Sequence, residues 1–95
     1  MSAYVIVRVQ VTDWERYRKY MQRSPATVEL FGGRFIARGG EIVTLEGPPE
    51  TDRIVTLEFP SLQKAKEWYH SDQYQAAKQI RAGAASAHFV AVDGV

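Results

Sequence analysis

The stretch from Arg53 to Ala85, RIVTLEFPSLQKAKEWYHSDQYQAAKQIRAGAA, constrains the fold more than any other part of the chain. Arg53 to Phe59 alternates, with Val55, Leu57 and Phe59 on one face and Ile54, Thr56 and Glu58 on the other, the period of a half-buried strand. Pro60 stops that strand, because proline has no N–H to give to a ladder. Ser61 then offers an N-cap oxygen, and Leu62, Ala65, Trp68 and Tyr69 recur at helical spacing. Ser71 or Asp72 restarts the helix, and Tyr74, Ala77, Ile80 and Ala84 carry its apolar stripe on to Gly83. A strand that leads into so broad an apolar helical face needs a sheet for that face to cover, and the remaining segments must supply it.

Ala3 to Val11 supplies the first strand. Its odd positions, Ala3, Val5, Val7, Val9 and Val11, are all apolar, while Tyr4, Ile6, Arg8 and Gln10 make a mixed opposite face. Thr12 with Glu15 three residues on reads as a capping box, and Trp14, Tyr17, Met21, Ser24, Val28 and Phe31 form the stripe of the helix that follows. Pro25 behind Ser24 predicts a kink or a restarted helix, and Gly32-Gly33 ends it. Arg34 to Arg38 is a second strand, with a bulge expected at Gly39-Gly40. Glu41 to Glu46 reads as extended, Gly47-Pro48-Pro49 as a turn, and Ala87 to Val92 as the last strand. The order is βαββαβ. Residues 1–95 are therefore expected to form one α+β domain, a ferredoxin-like plait whose four-stranded antiparallel sheet carries its helices on one face.

That leaves the other face uncovered: Tyr4, Ile6, Arg8, Gln10, Ile54, Thr56, Glu58, His88, Val90 and Val92. It is too apolar for plain solvent and too polar for an ordinary core, which predicts a homodimer through this face, with Arg8 and Glu58 placed to pair. A solvated sheet face with scattered apolar residues is the plainer alternative. A formal net charge of +1, with acids and bases interspersed, argues against nucleic acid or an anionic membrane as partner. The open face also lacks the aromatics of an RNA-recognition module. No cysteine is present, which excludes disulfides and thiolate chemistry. No stretch has the length of a membrane span or the pattern of a signal peptide, so the expected location is cytoplasmic.

The strings GGRFIARGG at 32–40, LEG at 45–47, EFPS at 58–61, EWYHSDQYQ at 67–75 and IR at 80–81 together resemble domain-of-unknown-function family 1330. The resemblance spans nearly the whole chain. It implies membership of the dimeric α+β barrel superfamily, in which two ferredoxin-like protomers pack sheet against sheet. That superfamily includes cofactor-independent monooxygenases, muconolactone isomerase-like enzymes, haem-degrading enzymes and plain ligand binders. The family itself has no established reaction, so no catalytic residues carry across.

From the residues alone, His70 at the junction of the two helical pieces is a candidate general acid or base; a hinge residue at a kink is its plainer role. Arg38 before Gly39-Gly40 is a candidate anion-binding group, against a bulged strand end with a surface ion pair. Trp68, Tyr69, Tyr74 and Arg81 are candidate substrate-binding residues; Tyr74 and Arg81, two turns apart, are placed to reach one cleft, unless Tyr74 is core and Arg81 serves its helix C-terminus. His88 is a further group on the open face. Two histidines without HxH or HxxxH spacing predict no metal site, and no cofactor motif is present. Two functions follow. One is a metal-independent enzyme acting on a small organic acid or aromatic compound in a cleft between sheet and helices. The other is a non-catalytic small-ligand-binding or structural homodimer. A cleft filled by Trp14, Trp68 and Phe35 would leave the enzyme without its site.

Overall fold

The computed structural model describes residues 1–95, in the order β1 (Ala3–Val11), α1 (Trp14–Leu30), β2 (Arg34–Arg38), β3 (Arg53–Phe59), α2 (Leu62–His70), α3 (Asp72–Ile80) and β4 (Ala85–Asp93). The strands form one antiparallel sheet in the order β2-β3-β1-β4, so the most regular strand, β1, is central and β4 lies at an edge. This is the ferredoxin-like arrangement. Register fixes the two faces. Val5 and Val7 stand beside Leu57 and Val55 on one side and beside Ala91 and Phe89 on the other. The odd face therefore meets the helices, and its core gathers Val5, Val7, Val9, Tyr17, Tyr20, Val28, Leu57, Phe59, Trp68 and Tyr74.

Helix α1 is capped by Asp13, not Thr12: the Asp13 carboxylate accepts from the Arg16 N–H, while Thr12 gives both its N–H and its hydroxyl to the Ala84 carbonyl. Thr12 thus ties β1 to the start of β4. Trp14, expected in the stripe, is 44% exposed, and Tyr20 takes the buried place. Helix α1 runs unbroken through Pro25. Gly32, at φ +76°, ends it in the left-handed conformation, and Gly33 follows because the Phe59 ring fills the space where its Cβ would stand.

Ser71 does two tasks at the break between α2 and α3. Its hydroxyl donates to the Trp68 carbonyl at 2.7 Å and accepts from the Tyr74 N–H at 3.1 Å. One hydroxyl closes the first helix and opens the second. The irregularity in β2 falls between Phe35 and Ala37, two residues before the glycine pair. Glu41 to Glu46 pairs with no strand; 39–52 is an irregular connection. No helix is long and apolar enough to cross a membrane.

Candidate functional site

Two cavities open on either side of Trp68, which walls both of them. The first holds Arg38 and is nearly filled, about 20 Å³, by Tyr17, Tyr20, Met21, Phe35 and Leu57. Pro25 has no N–H, so the Met21 carbonyl one turn earlier lacks its usual helical donor. Arg38 supplies the missing bond: its Nη2 donates to the Met21 oxygen at 2.7 Å, and its guanidinium lies 4.4 Å over the Phe35 ring. Trp14 does not take part in this filling; it packs edge-on to Tyr17 and under Arg53.

The second cavity is open. It measures about 410 Å³ and lies between α2, α3 and the free edge of β4. Trp68, Tyr69, His70 and Arg81 line it together, so four of the six sequence candidates meet in one place. Tyr74 lies just behind the wall, fully buried, and Arg38 lies on the other side of Trp68. Sequence reading missed Lys66, Lys78 and Phe89 as members of this cleft. Lys78 had a usable signal: it precedes Arg81 by three residues and so shares its helix face. Phe89 and its neighbours had none, because only strand order brings β4 beside α2.

The positions of these groups follow from local structure. Trp68 is held by packing on Phe59 and by its indole N–H, which donates to the Thr27 hydroxyl at 3.1 Å. Tyr69 is half-buried against Phe89, and its hydroxyl accepts from Lys78 Nζ at 2.9 Å. His70 is exposed at the last position of α2, edge-on to Tyr69 with ring centroids 5.4 Å apart. Arg81 follows α3 but turns inward: Nη2 donates to the Tyr74 hydroxyl at 3.3 Å, and Tyr74 and Tyr20 hydroxyls share a buried hydrogen bond of 2.8 Å. Burial pushes the Tyr20 hydroxyl well above the ordinary tyrosine range, and the neighbouring Tyr74 adds to this. At Arg81 burial opposes the charge, but the two tyrosines outweigh it and the pKa is raised. No three His, Asp or Glu side chains gather as a metal site would require.

The open sheet face pairs differently from expectation. Arg8 reaches Glu50 of the 39–52 connection, with bonds of 2.9 and 2.6 Å, and Glu58 pairs with Arg34 at 2.7 Å. Tyr4 and Glu58 are opposite each other in register, whereas Arg8 faces Ile54, two rows from Glu58. His88 lies on this face opposite Arg8 and also borders the cleft, because the cleft follows the strand edge.

Compared with known proteins, residues 2–95 match the model of the family described as Domain of unknown function (DUF1330). The chain belongs to that family. No curated protein sequence matches it. Among solved structures, a protein of unknown function from Rhodopseudomonas palustris is similar, at 20% identity and a TM-score of 0.76, over 99% of this chain and 82% of that one. A dimeric protein of unknown function with a ferredoxin-like fold from Bacteroides fragilis aligns at 20% identity and a TM-score of 0.57, over 98% and 96% of the two chains. SnoaB, a cofactor-independent oxygenase from Streptomyces nogalater, aligns at 9% identity and a TM-score of 0.66, over 99% and 93%. At these identities the likeness is one of fold. Within DUF1330, then, the ferredoxin-like fold is shown.

Proposed function

We propose that the cleft beside β4 is a small-molecule site, and that the chain is a metal-independent enzyme acting there on a small organic acid or aromatic compound, of monooxygenase or isomerase type. The observation that carries this is the cleft itself: about 410 Å³, within the range of roughly 300–1,000 Å³ usual for small-ligand sites, with an aromatic wall of Trp68, Tyr69 and Phe89. The fold-level likeness to a cofactor-independent oxygenase supports the choice of reaction class only by analogy. His70, exposed at the cleft rim, is the proposed acid–base group. The exposure of His70, with Tyr74 and Arg81 bonded to each other, favours a second reading: a binder without turnover. A thermal-shift screen of aromatic and aliphatic acids tests the site, since ligand at a hundred times its Kd adds about 2.7 kcal/mol. His70→Gln should fold, bind the hit and lose turnover. Binding without turnover in the wild type selects the second reading, and the lack of any shift removes the site.

We also propose a homodimer through the open face. Exposed Ile6, Val90 and Val92 support it, as does the dimeric relative from Bacteroides fragilis. Light scattering should give a dimer for the wild type and a monomer or aggregate for Ile6→Lys, because an isologous contact receives the charge twice. A wild-type monomer at tens of micromolar, where even weak pairs are seen, would overturn it.

A further inference from the structure

Arg81 is a buried cation with no acid to answer it. It is 8% exposed, and none of the three ion pairs of the chain includes it. Its Nη2 donates to Tyr74, but Nε is buried without a partner, and the Tyr20 and Phe89 rings stand 5.4 and 5.1 Å from the guanidinium. A buried lysine could relieve such a position by losing its proton; arginine cannot. The faces of two rings attract the charge, yet they offer Nε no acceptor.

The cleft that Arg81 lines is charged in one sense only. Lys66, Lys78 and Arg81 border it with His70 and His88, and none of its thirteen lining residues is acidic. The strand edge adds main-chain groups of both kinds. The bonds from Gly94 N–H to the Ser2 carbonyl and from Thr12 N–H to the Ala84 carbonyl fix the β1–β4 ladder. In an antiparallel pair bonded positions alternate, so the even residues of β4 bond to β1. Ala87, Phe89 and Ala91 turn both their N–H and their C=O groups outward along the cleft they line, so the edge offers donors and acceptors alike. Guanidinium and ammonium groups, with no carboxylate among the lining side chains to offset them, thus border a largely apolar space.

We propose that this cleft binds planar carboxylates, the carboxylate held by Arg81 and Lys78 and the ring laid on Tyr69 and Phe89. The proposal rests on the reading of the cleft as a small-molecule site and narrows its ligand class. A carboxylate suits the site because a guanidinium presents paired donors to two coplanar oxygens, while the aromatic wall accepts a flat apolar body.

The test is titration calorimetry with benzoate and 1-naphthoate, each beside its neutral amide. The wild type should bind the better acid at least about tenfold more tightly than its amide, as charge-assisted bonds are roughly twice as strong as neutral ones. That preference should collapse in Arg81→Met and shrink in Lys78→Met, with the amide affinity little changed. Should Arg81→Met fail to fold, Arg81→Lys replaces it: charge is kept and the paired donors are lost, so a reduced preference supports the proposal and an unchanged one overturns it. Equal binding of acid and amide by the wild type overturns the carboxylate assignment while leaving the cleft a ligand site. Binding of neither at millimolar concentration removes both.

Discussion

Arg38 and Arg81 stand on opposite sides of Trp68, and they differ in what their guanidinium groups have left to give. Arg38 is exposed, yet it is committed: it donates to the Met21 carbonyl that Pro25 leaves without a donor, and it stacks on Phe35 beside a space of about 20 Å³. Arg81 is buried, yet one of its nitrogens has no acceptor, and it lines an opening of about 410 Å³. Exposure is thus a poor guide to availability. An arginine on the surface can be held in place by a main-chain carbonyl, while one in the interior can keep a nitrogen without an acceptor.

Trp68 and Phe89 border both regions, and removing Trp68 should have the largest effect. Trp68→Ala deletes a side chain that is 1% exposed and takes the indole donor from the Thr27 hydroxyl, which keeps its own bond to the Ser24 carbonyl. It should cost about 3–5 kcal/mol in chemical denaturation and merge the two spaces. A loss below roughly 1 kcal/mol would mean that the wall collapses freely, and the two cavities would no longer count as separate.

The arginines themselves give the next contrast. Arg38→Met should lower stability by about 1 kcal/mol, since it removes a charged donor from an otherwise unanswered helix carbonyl. Arg81→Met should change stability by less than that, because the cost of burying a charge with no carboxylate beside it is set against the tyrosines and ring faces that favour the charge. Denaturation midpoints of the pair measure this. The opposite order would show that Tyr20, Tyr74 and Phe89 satisfy Arg81 in full.

Acid provides the smallest effect and a control. Hydrogen bonds from Arg8 and Arg34 hold Glu50 and Glu58 below the usual carboxylate range. A carboxylate lowered in the folded state contributes fully above its unfolded pKa and loses that contribution as pH falls through the folded one. Stability should therefore decline as pH falls from about 5 towards 3, by a small amount because both pairs are solvent-screened. Arg8→Met and Arg34→Met should flatten this slope. Arg38→Met and Arg81→Met, with no carboxylate partner, should leave it unchanged.

Much of this was legible in the chain. The alternation of Ala3–Val11 and Arg53–Phe59 set both faces of the sheet, and Ser61 and Ser71 marked the two helix starts as found. Local competition hid other details. Thr12 has the residue type of a cap, but the Ala84 carbonyl claims its hydroxyl, and Asp13 caps instead. Trp14 has the most apolar side chain of the first turn, yet only the sheet decides that Tyr20 is the residue facing Tyr74. At the site, the sequence singled out Trp68, Tyr69, His70 and Arg81, which the fold brings to one cleft, whereas Tyr74, paired with Arg81 by helical spacing, lies buried behind its wall. The commitment of Arg38 was not readable, because it depends on a carbonyl in another element that becomes free only when Pro25 enters a continuous helix. Glu50 as partner of Arg8 was equally out of reach, since 39–52 has no period to place it.

That same connection bears on how the molecule tolerates change. It leaves the sheet at Gly39, whose left-handed φ of +71° disfavours any residue with a Cβ and against which the Arg53 guanidinium packs. Beyond this fixed root the stretch returns through the exposed Arg8–Glu50 pair and carries Val43 and Leu45 out into solvent. Doubling the length of a flexible loop costs only about 0.6 kcal/mol of closure entropy. Residues inserted between Gly40 and Pro49 would therefore extend a surface arm while the strand register at its base stays as it is. The connection is the part of this scaffold that can be rewritten, by evolution or by grafting, independently of the cleft on the far edge of the sheet.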